Sequence, residues 1–344
     1  MYALRGLYKR CYDAANFRLR NLAGGRLASY CRPVTIMFLL TEHCNARCVH
    51  CDIWKNKGHE DTPSVEQLKA CLQDLRRWLG PVQVTFTGGE ALLKPYTLEL
   101  VQYASSLGLF VEVLTNGYWA DQSIELLALA HPWRVTVSLD GLGQAHDKIR
   151  GRSDFFAKTS ASIQTLCKVR EQQKRMFSIL LKTVIMEHNL DDICSVARFA
   201  ADNRVEVLYQ PIEQNYNTPN DPAWFQNSDN WPRNIQKVTE VLRELTDLKR
   251  QGLPITNSFE SLNQMVHYFT DPEKLRVAVQ AHVTPGRTSF CSAITNLQIQ
   301  ANGDVTLCAR RPPVGNIREA SIRAIWEQRP PFWQTDCCRT SEGT

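Results

Sequence analysis

The chain has 344 residues, of which 43% are hydrophobic and 22% charged, and a formal net charge of +5. That balance excludes an unfolded polar chain and leaves room for one large core with an appendage. The longest apolar run, VTIMFLL at 34–40, falls far short of the roughly 18 residues of a membrane-spanning helix, so a helical span is not expected.

The charge sits at one end. Residues 1–32 carry seven Lys or Arg against Asp13 alone, while the remainder holds 33 basic and 34 acidic residues and offers no basic field for nucleic acid. In that first segment Leu4, Leu7, Tyr8, Cys11, Tyr12, Ala15, Leu19 and Leu22 fall on one helical face with much of the charge opposite. Residues 1–33 are therefore expected to form a basic amphipathic helix. It either packs on the outside of the domain or makes a peripheral contact with an anionic membrane surface.

From residue 34 the chain alternates. Strand-like runs at Val34–Leu40, Val82–Thr87, Val111–Thr115, Arg134–Leu139, Ser178–Ile185 and Val205–Gln210 are each followed by a longer amphipathic stretch, clearest at 65–79, 122–130, 159–174 and 191–203. Repeated βα units imply a parallel sheet. Six are about two short of a closed barrel, so residues 34–210 are expected to form an α/β, open, partial (β/α)6 TIM-like barrel with its reactive loops at the strand C-termini.

The loop after the first strand reads EHCNARCVHCD at 42–52 and carries Cys44, Cys48 and Cys51 as C-x3-C-x2-C. Two readings are open. A zinc ion would close the set tetrahedrally with His43 or His50, whereas an iron–sulfur cube on three thiolates would keep one iron available. Twelve cysteines in two clusters with scattered singles, and no apolar signal segment, fit ligation in a reducing cytoplasm better than disulfides. The other strand ends meet this loop at one rim: TFTGGE at 85–90, LTNG at 114–117 and SLDG at 138–141, with HDKIRG at 146–151. Paired glycines let backbone approach a ligand, and Glu90, Asn116, Ser138 and Asp140 are polar groups for an organic cofactor.

C-x3-C-x2-C after strand one, GGE after strand two and SLDG after strand four together resemble the radical S-adenosylmethionine (SAM) superfamily over residues 34–210. The resemblance implies a [4Fe–4S] cluster on Cys44, Cys48 and Cys51 whose fourth iron is chelated by SAM. Gly88, Gly89 and Glu90 would then meet the SAM amino group, Ser138 and Asp140 the ribose or its surroundings, and Arg150 the carboxylate. His50 would lie beside adenine. It also implies a low-potential electron donor such as flavodoxin or ferredoxin.

Residues 211–290 read as a connection. YNTPNDPAWFQNSDNWP at 216–232 is an irregular loop whose Trp224, Phe225 and Trp231 either wall a substrate or pin the loop, and 230–250 reads as a helix with Leu242, Leu245 and Leu248 in the core. From 291 the character changes again. A hairpin, 297–300 and 305–308 around ANGD, precedes a short helix at 319–328, and Cys291, Cys308, Cys337 and Cys338 supply four more thiols. This region is similar to the SPASM and twitch extensions of radical SAM enzymes, which implies an auxiliary [4Fe–4S] cluster; a zinc ribbon is the structural alternative. The remaining cysteines, Cys11, Cys31, Cys71, Cys167 and Cys194, read as small buried residues.

The resemblance implies a radical SAM enzyme that abstracts hydrogen from a small molecule or glycan, giving dehydrogenation or epimerisation. A peptide-modifying maturase is the alternative within the family, and a non-catalytic iron–sulfur or SAM-binding protein the alternative outside it.

Overall fold

The structure is a computed structural model that describes residues 2–21, 28–58, 60–173, 177–215, 218, 219, 221, 223–272, 292–308 and 311–330. Six parallel strands form its centre: β1 (Thr35–Leu39), β2 (Gln83–Thr87), β3 (Phe110–Thr115), β4 (Arg134–Ser138), β5 (Ser178–Ile185) and β6 (Glu206–Pro211). They lie side by side in chain order and do not close into a barrel.

The period-two pattern of these strands divides two environments. Val84, Phe86, Val111, Val113, Val135, Val137, Ile179 and Leu181 join the main core with the helices. Their alternates Thr85, Glu112 and Thr136 are buried and polar. Glu112 accepts hydrogen bonds from Gln83 Nε2 (2.8 Å), Thr85 Oγ1 (3.1 Å) and Thr136 Oγ1 (2.6 Å). A satisfied carboxylate thus lies in the sheet on the face that also forms the cavity described below.

The helices between strands show why their sequences fold locally. The first of them in the barrel, Val65–Leu79, opens on a reciprocal capping box between Ser64 and Gln67, and buries Leu68, Cys71, Leu72, Leu75 and Leu79. It stops at Gly80, whose φ of +80° only glycine adopts without strain. The helices Asp121–Leu129, Phe155–Gln172 and Ile193–Asp202 lie near their expected positions. Thr97–Ser106, Gln144–Arg150 and Phe259–Thr270 are additional helices.

The C-terminal hairpin is no detached appendage. Its first strand β7 (Asn296–Ile299) pairs in parallel with β1, and β8 (Asp304–Thr306) and β9 (Gly315–Asn316) continue the same nine-stranded sheet. The helix Ile322–Glu327 follows and packs Trp326 against Trp78, ring centroids 6.3 Å apart.

The N-terminal helix, Tyr2–Asn21, departs from the expected face. It buries Tyr12 and Asn16, whereas Leu4, Leu7, Tyr8 and Cys11 are exposed. Polar groups make the docking: Tyr12 Oη donates to Pro33 O (2.7 Å), Tyr8 Oη to Leu79 O (2.6 Å), and Arg32 N to Asn16 Oδ1 (2.7 Å). A stripe counted on apolar residues alone misses Asn16 and overweights the first turns. Leu22 lies outside the described residues. No described helix is long and apolar enough to cross a membrane.

The aromatic residues after β6 pin their segment. Trp231 is buried and packs edge-on or tilted against Trp224, Phe225, Tyr268 and Phe269, with ring centroids 5.2–5.5 Å apart. Asn234 caps the helix Ile235–Arg250, which buries Leu242, Leu245 and Leu248 as expected.

Candidate active site

At the C-terminal rim, a cavity of about 340 Å³ is lined by Cys44, Cys48 and Cys51 together with His50, Gly88, Gly89, Glu90, Asn116, Ser138 and Arg150. Separate strand ends have brought the expected residues to one place. Among the described residues no three Cys, His, Asp or Glu side chains converge on one ion-sized point. A cubane asks instead for one thiolate per iron around a larger volume.

The cysteine loop is held by backbone. Gly89 N donates to Thr41 O (2.7 Å) and Glu90 N to His43 O (2.9 Å), while Arg47 N and Val49 N donate to Arg150 O and Ile149 O (both 3.0 Å). The two glycines are required by this strap. A Cβ on Gly88 would stand 2.2 Å from Thr41 O, and one on Gly89 2.2 Å from His43 O. Glu60 fixes the loop from behind, accepting from Thr41 Oγ1 (2.8 Å) and Glu42 N and pairing with Lys94 (2.7 Å).

Glu90 is fully buried. Its carboxylate accepts from Thr115 Oγ1 (2.9 Å), Asn116 N (2.7 Å) and Leu92 N (3.3 Å). Burial raises its pKa, and these donors oppose the rise. Asn116 in turn donates to Asn45 Oδ1 (2.6 Å) and lies 3.8 Å from Cys44 Sγ. The GGE strap, the third strand end and the cysteine loop form one hydrogen-bonded unit.

Asp140, expected at the ribose or its surroundings, lies behind the cavity wall. It is fully buried, does not line the cavity and pairs with Arg150 at 2.6 Å. Val184 N donates to its Oδ1 (2.9 Å) and Asn189 Nδ2 to its backbone oxygen (2.6 Å). Burial acts most strongly and raises the Asp140 pKa, but the Arg150 guanidinium together with His50, His146 and the Val184 N–H outweighs it, and the carboxyl is held below its usual range. Arg150 also reaches Cys48 Sγ (3.4 Å), so Asp140 serves the cavity by aiming Arg150.

These surroundings suit a bound cluster and an organic cofactor. Burial pushes the Cys44 thiol up to about 12 and raises Cys48 and Cys51, so without an electropositive group the three sulfurs hold their protons. His50 is kept neutral by burial, its pKa lowered to about 4, and its Nδ1 has no partner among the described residues. Buried thiols beside an unsatisfied imidazole nitrogen fit a cubane with a polar ligand next to it.

Sequence reasoning missed several lining residues. Lys182 on β5, Trp54 in the short turn after the cysteine loop, and Gln298 on β7 all face the cavity. Lys182 had a signal, being the lone charge in the apolar strand SILLKTVI. A second groove of about 570 Å³ opens beside the cysteine loop, lined by Val49, Asn215, Trp224 and Asn230 among others. Asn215 and Asn230 donate to Val49 O at 3.3 and 3.1 Å. Among the second set of thiols only Cys308 is described; Cys291, Cys337 and Cys338 lie outside the described residues.

A family model of the radical SAM superfamily matches residues 38–200, and one of the SPASM iron–sulfur cluster-binding domain matches 291–339. The chain belongs to the radical SAM superfamily and is a radical SAM enzyme with a SPASM region, using SAM and iron–sulfur clusters. It is 26% identical to an AdoMet-dependent heme synthase of Methanosarcina barkeri over 87% of this chain and 84% of that protein. It is 34% identical to the sporulation killing factor maturation protein SkfB of Bacillus subtilis over 52% of this chain and 42% of that one. The fold is similar to that of Streptococcus suis SuiB bound to S-adenosylmethionine, with a TM-score of 0.62, 15% identity, and coverage of 88% of this chain and 67% of that one.

Proposed function

We propose that this enzyme abstracts hydrogen from a small molecule or a glycan and so dehydrogenates or epimerises it. Cys44, Cys48 and Cys51 would hold the SAM-binding [4Fe–4S] cluster, the Gly88–Glu90 strap the SAM amino group, Arg150 its carboxylate, Ser138 its ribose, with His50 beside the adenine. When bound and reduced by one electron from a donor such as flavodoxin or ferredoxin, these cofactors supply a primary carbon radical. The chain's own residues do the rest. The strap fixes the loop that carries the thiols, Asp140 orients Arg150, and the walls around Met37, Leu39 and Leu114 keep water from the reacting carbon. Cys291, Cys308 and one or both of Cys337 and Cys338 would hold the auxiliary [4Fe–4S] cluster.

The observation that carries the substrate class is the similarity to a heme synthase over 87% of this chain, against a match to a peptide-maturation protein over 52% of it. The rim cavity of about 340 Å³ is on a small-molecule scale. The second reading, peptide modification, is favoured by the open, asparagine-lined groove beside the cysteine loop. Anaerobic reduction with SAM, followed by addition of the small-molecule or the peptide fraction of the producing cells, separates them. Stimulated 5′-deoxyadenosine release is expected with the small-molecule fraction, and stimulation by peptides alone sinks the first reading.

A further inference from the structure

Three described side chains on the cavity wall carry charge: Glu90, Arg150 and Lys182. Glu90 is satisfied by its donors and Arg150 is paired with Asp140. Lys182 Nζ has no ion pair or hydrogen bond among the described residues. Its place is nonetheless fixed, because Lys182 pairs with Ser138 across β4 and β5 and its carbonyl accepts from Leu139 N (2.9 Å).

The carboxylates whose fields reach Lys182 are engaged or out of range. Glu112 is taken by three donors, Asp140 by Arg150 and Val184 N, and Glu213 is exposed and makes no ion pair with it. Burial therefore lowers the ammonium below the usual lysine range. A largely desolvated cation without a partner is unfavourable in the empty cavity and becomes favourable when an anion enters.

SAM is a poor candidate for that anion. It brings a sulfonium and an ammonium against a single carboxylate, and the proposed reading of the site already gives that carboxylate to Arg150. We propose that Lys182 receives a carboxylate or phosphate of the substrate, so that the enzyme acts on an anionic small molecule seated against the β4–β5 wall. This rests on the radical SAM small-molecule reading above and narrows it.

The test is equilibrium dialysis of the anaerobically reconstituted, SAM-loaded protein with radiolabelled pyrophosphate and, separately, radiolabelled succinate. One saturable site per chain is expected for at least one of them, and the stronger binder tells phosphate from carboxylate. Lys182→Met should weaken that site roughly ten- to a hundredfold, the loss of a charged hydrogen bond, while Lys182→Arg keeps most of it. If Lys182→Met loads less iron than wild type, Lys182→Gln carries the same comparison. No saturable site for either anion on the wild type, or unchanged binding in a variant with full iron content, overturns the proposal. Release of 5′-deoxyadenosine by the same wild-type preparation reads the underlying assignment separately. Its absence would refute that assignment whatever the anions do.

Discussion

The two walls of the cavity are built by different means. On the β1–β3 side, backbone meets backbone: the GGE strap lies against Thr41 and His43 with no room for a single Cβ, and Glu90 and Asn116 stitch the strand ends together. On the β4–β5 side, charge does the work, through a buried Asp140–Arg150 pair and a Lys182 that has no ion pair or hydrogen bond among the described residues. The backbone and the Glu90 carboxylate of the first wall are satisfied as they stand, which suits a cofactor held the same way in every turnover. The second holds a cation unpaired among the described residues, which suits a ligand that comes and goes.

The comparison breaks most completely at the thiols, which belong to the first wall. Replacing Cys44, Cys48 and Cys51 with Ala should remove about four irons and abolish 5′-deoxyadenosine formation. Replacing Cys291 and Cys308 should also remove about four irons, yet leave SAM cleavage measurable. Iron analysis beside product chromatography reads both, and zinc in the second set after anaerobic reconstitution would refute the auxiliary cluster.

The charged wall should fail next. Asp140→Ala leaves Arg150 buried and unpaired, at a cost of about 3–5 kcal/mol, measured by denaturant unfolding, together with weaker SAM binding as Arg150 loses its aim. The pH dependence has a definite sign. The folded-state pKa of Asp140 is depressed, so its contribution is complete above the ordinary aspartate value and is lost as pH falls through the folded one. The variant should lack that part of the acid destabilisation; an identical acid limb would show that the pair does not contribute.

The backbone wall is tested more finely by Glu90→Gln. The amide keeps one acceptor but turns an NH2 toward a donor, Thr115 Oγ1 or Asn116 N, costing about 1–3 kcal/mol. SAM affinity should fall while the iron–sulfur absorbance stays. Wild-type affinity would remove Glu90 from the cofactor wall.

Most of this architecture is legible in the chain because the first four strands end in distinctive motifs, and the order of the six parallel strands follows chain order. All six strands and the helix Val65–Leu79 lie within a residue or two of where periodicity puts them. What stays hidden depends on contacts distant in sequence. Asp140 sits in a turn motif that reads equally as ligand or as support, and only its 2.6 Å pairing with Arg150 decides. The hairpin's strand β7 joins β1 across some 260 residues, a pairing that no local pattern announces. The face of the first helix is set by Tyr12 and Asn16 finding backbone partners, which hydrophobic periodicity does not count.

The smallest effect concerns how the C-terminal hairpin is joined to the first wall. Arg318 forms a fork on Asp61, with both side-chain contacts at 3.0 Å and a further bond to Asp61 O at 2.6 Å. The fork looks like a bolt between two distant parts of the chain. Yet Asp61 is 83% exposed, and solvent and salt screen such a pair to about 1 kcal/mol or less. The union rests instead on the four-residue β1–β7 ladder and on buried Leu297 and Ile299. Arg318→Ala should therefore shift the unfolding midpoint only slightly, by an amount that vanishes in high salt, and leave both clusters in place. Loss of the auxiliary iron in that variant would mean that the fork, and not the ladder, sets the position of the hairpin.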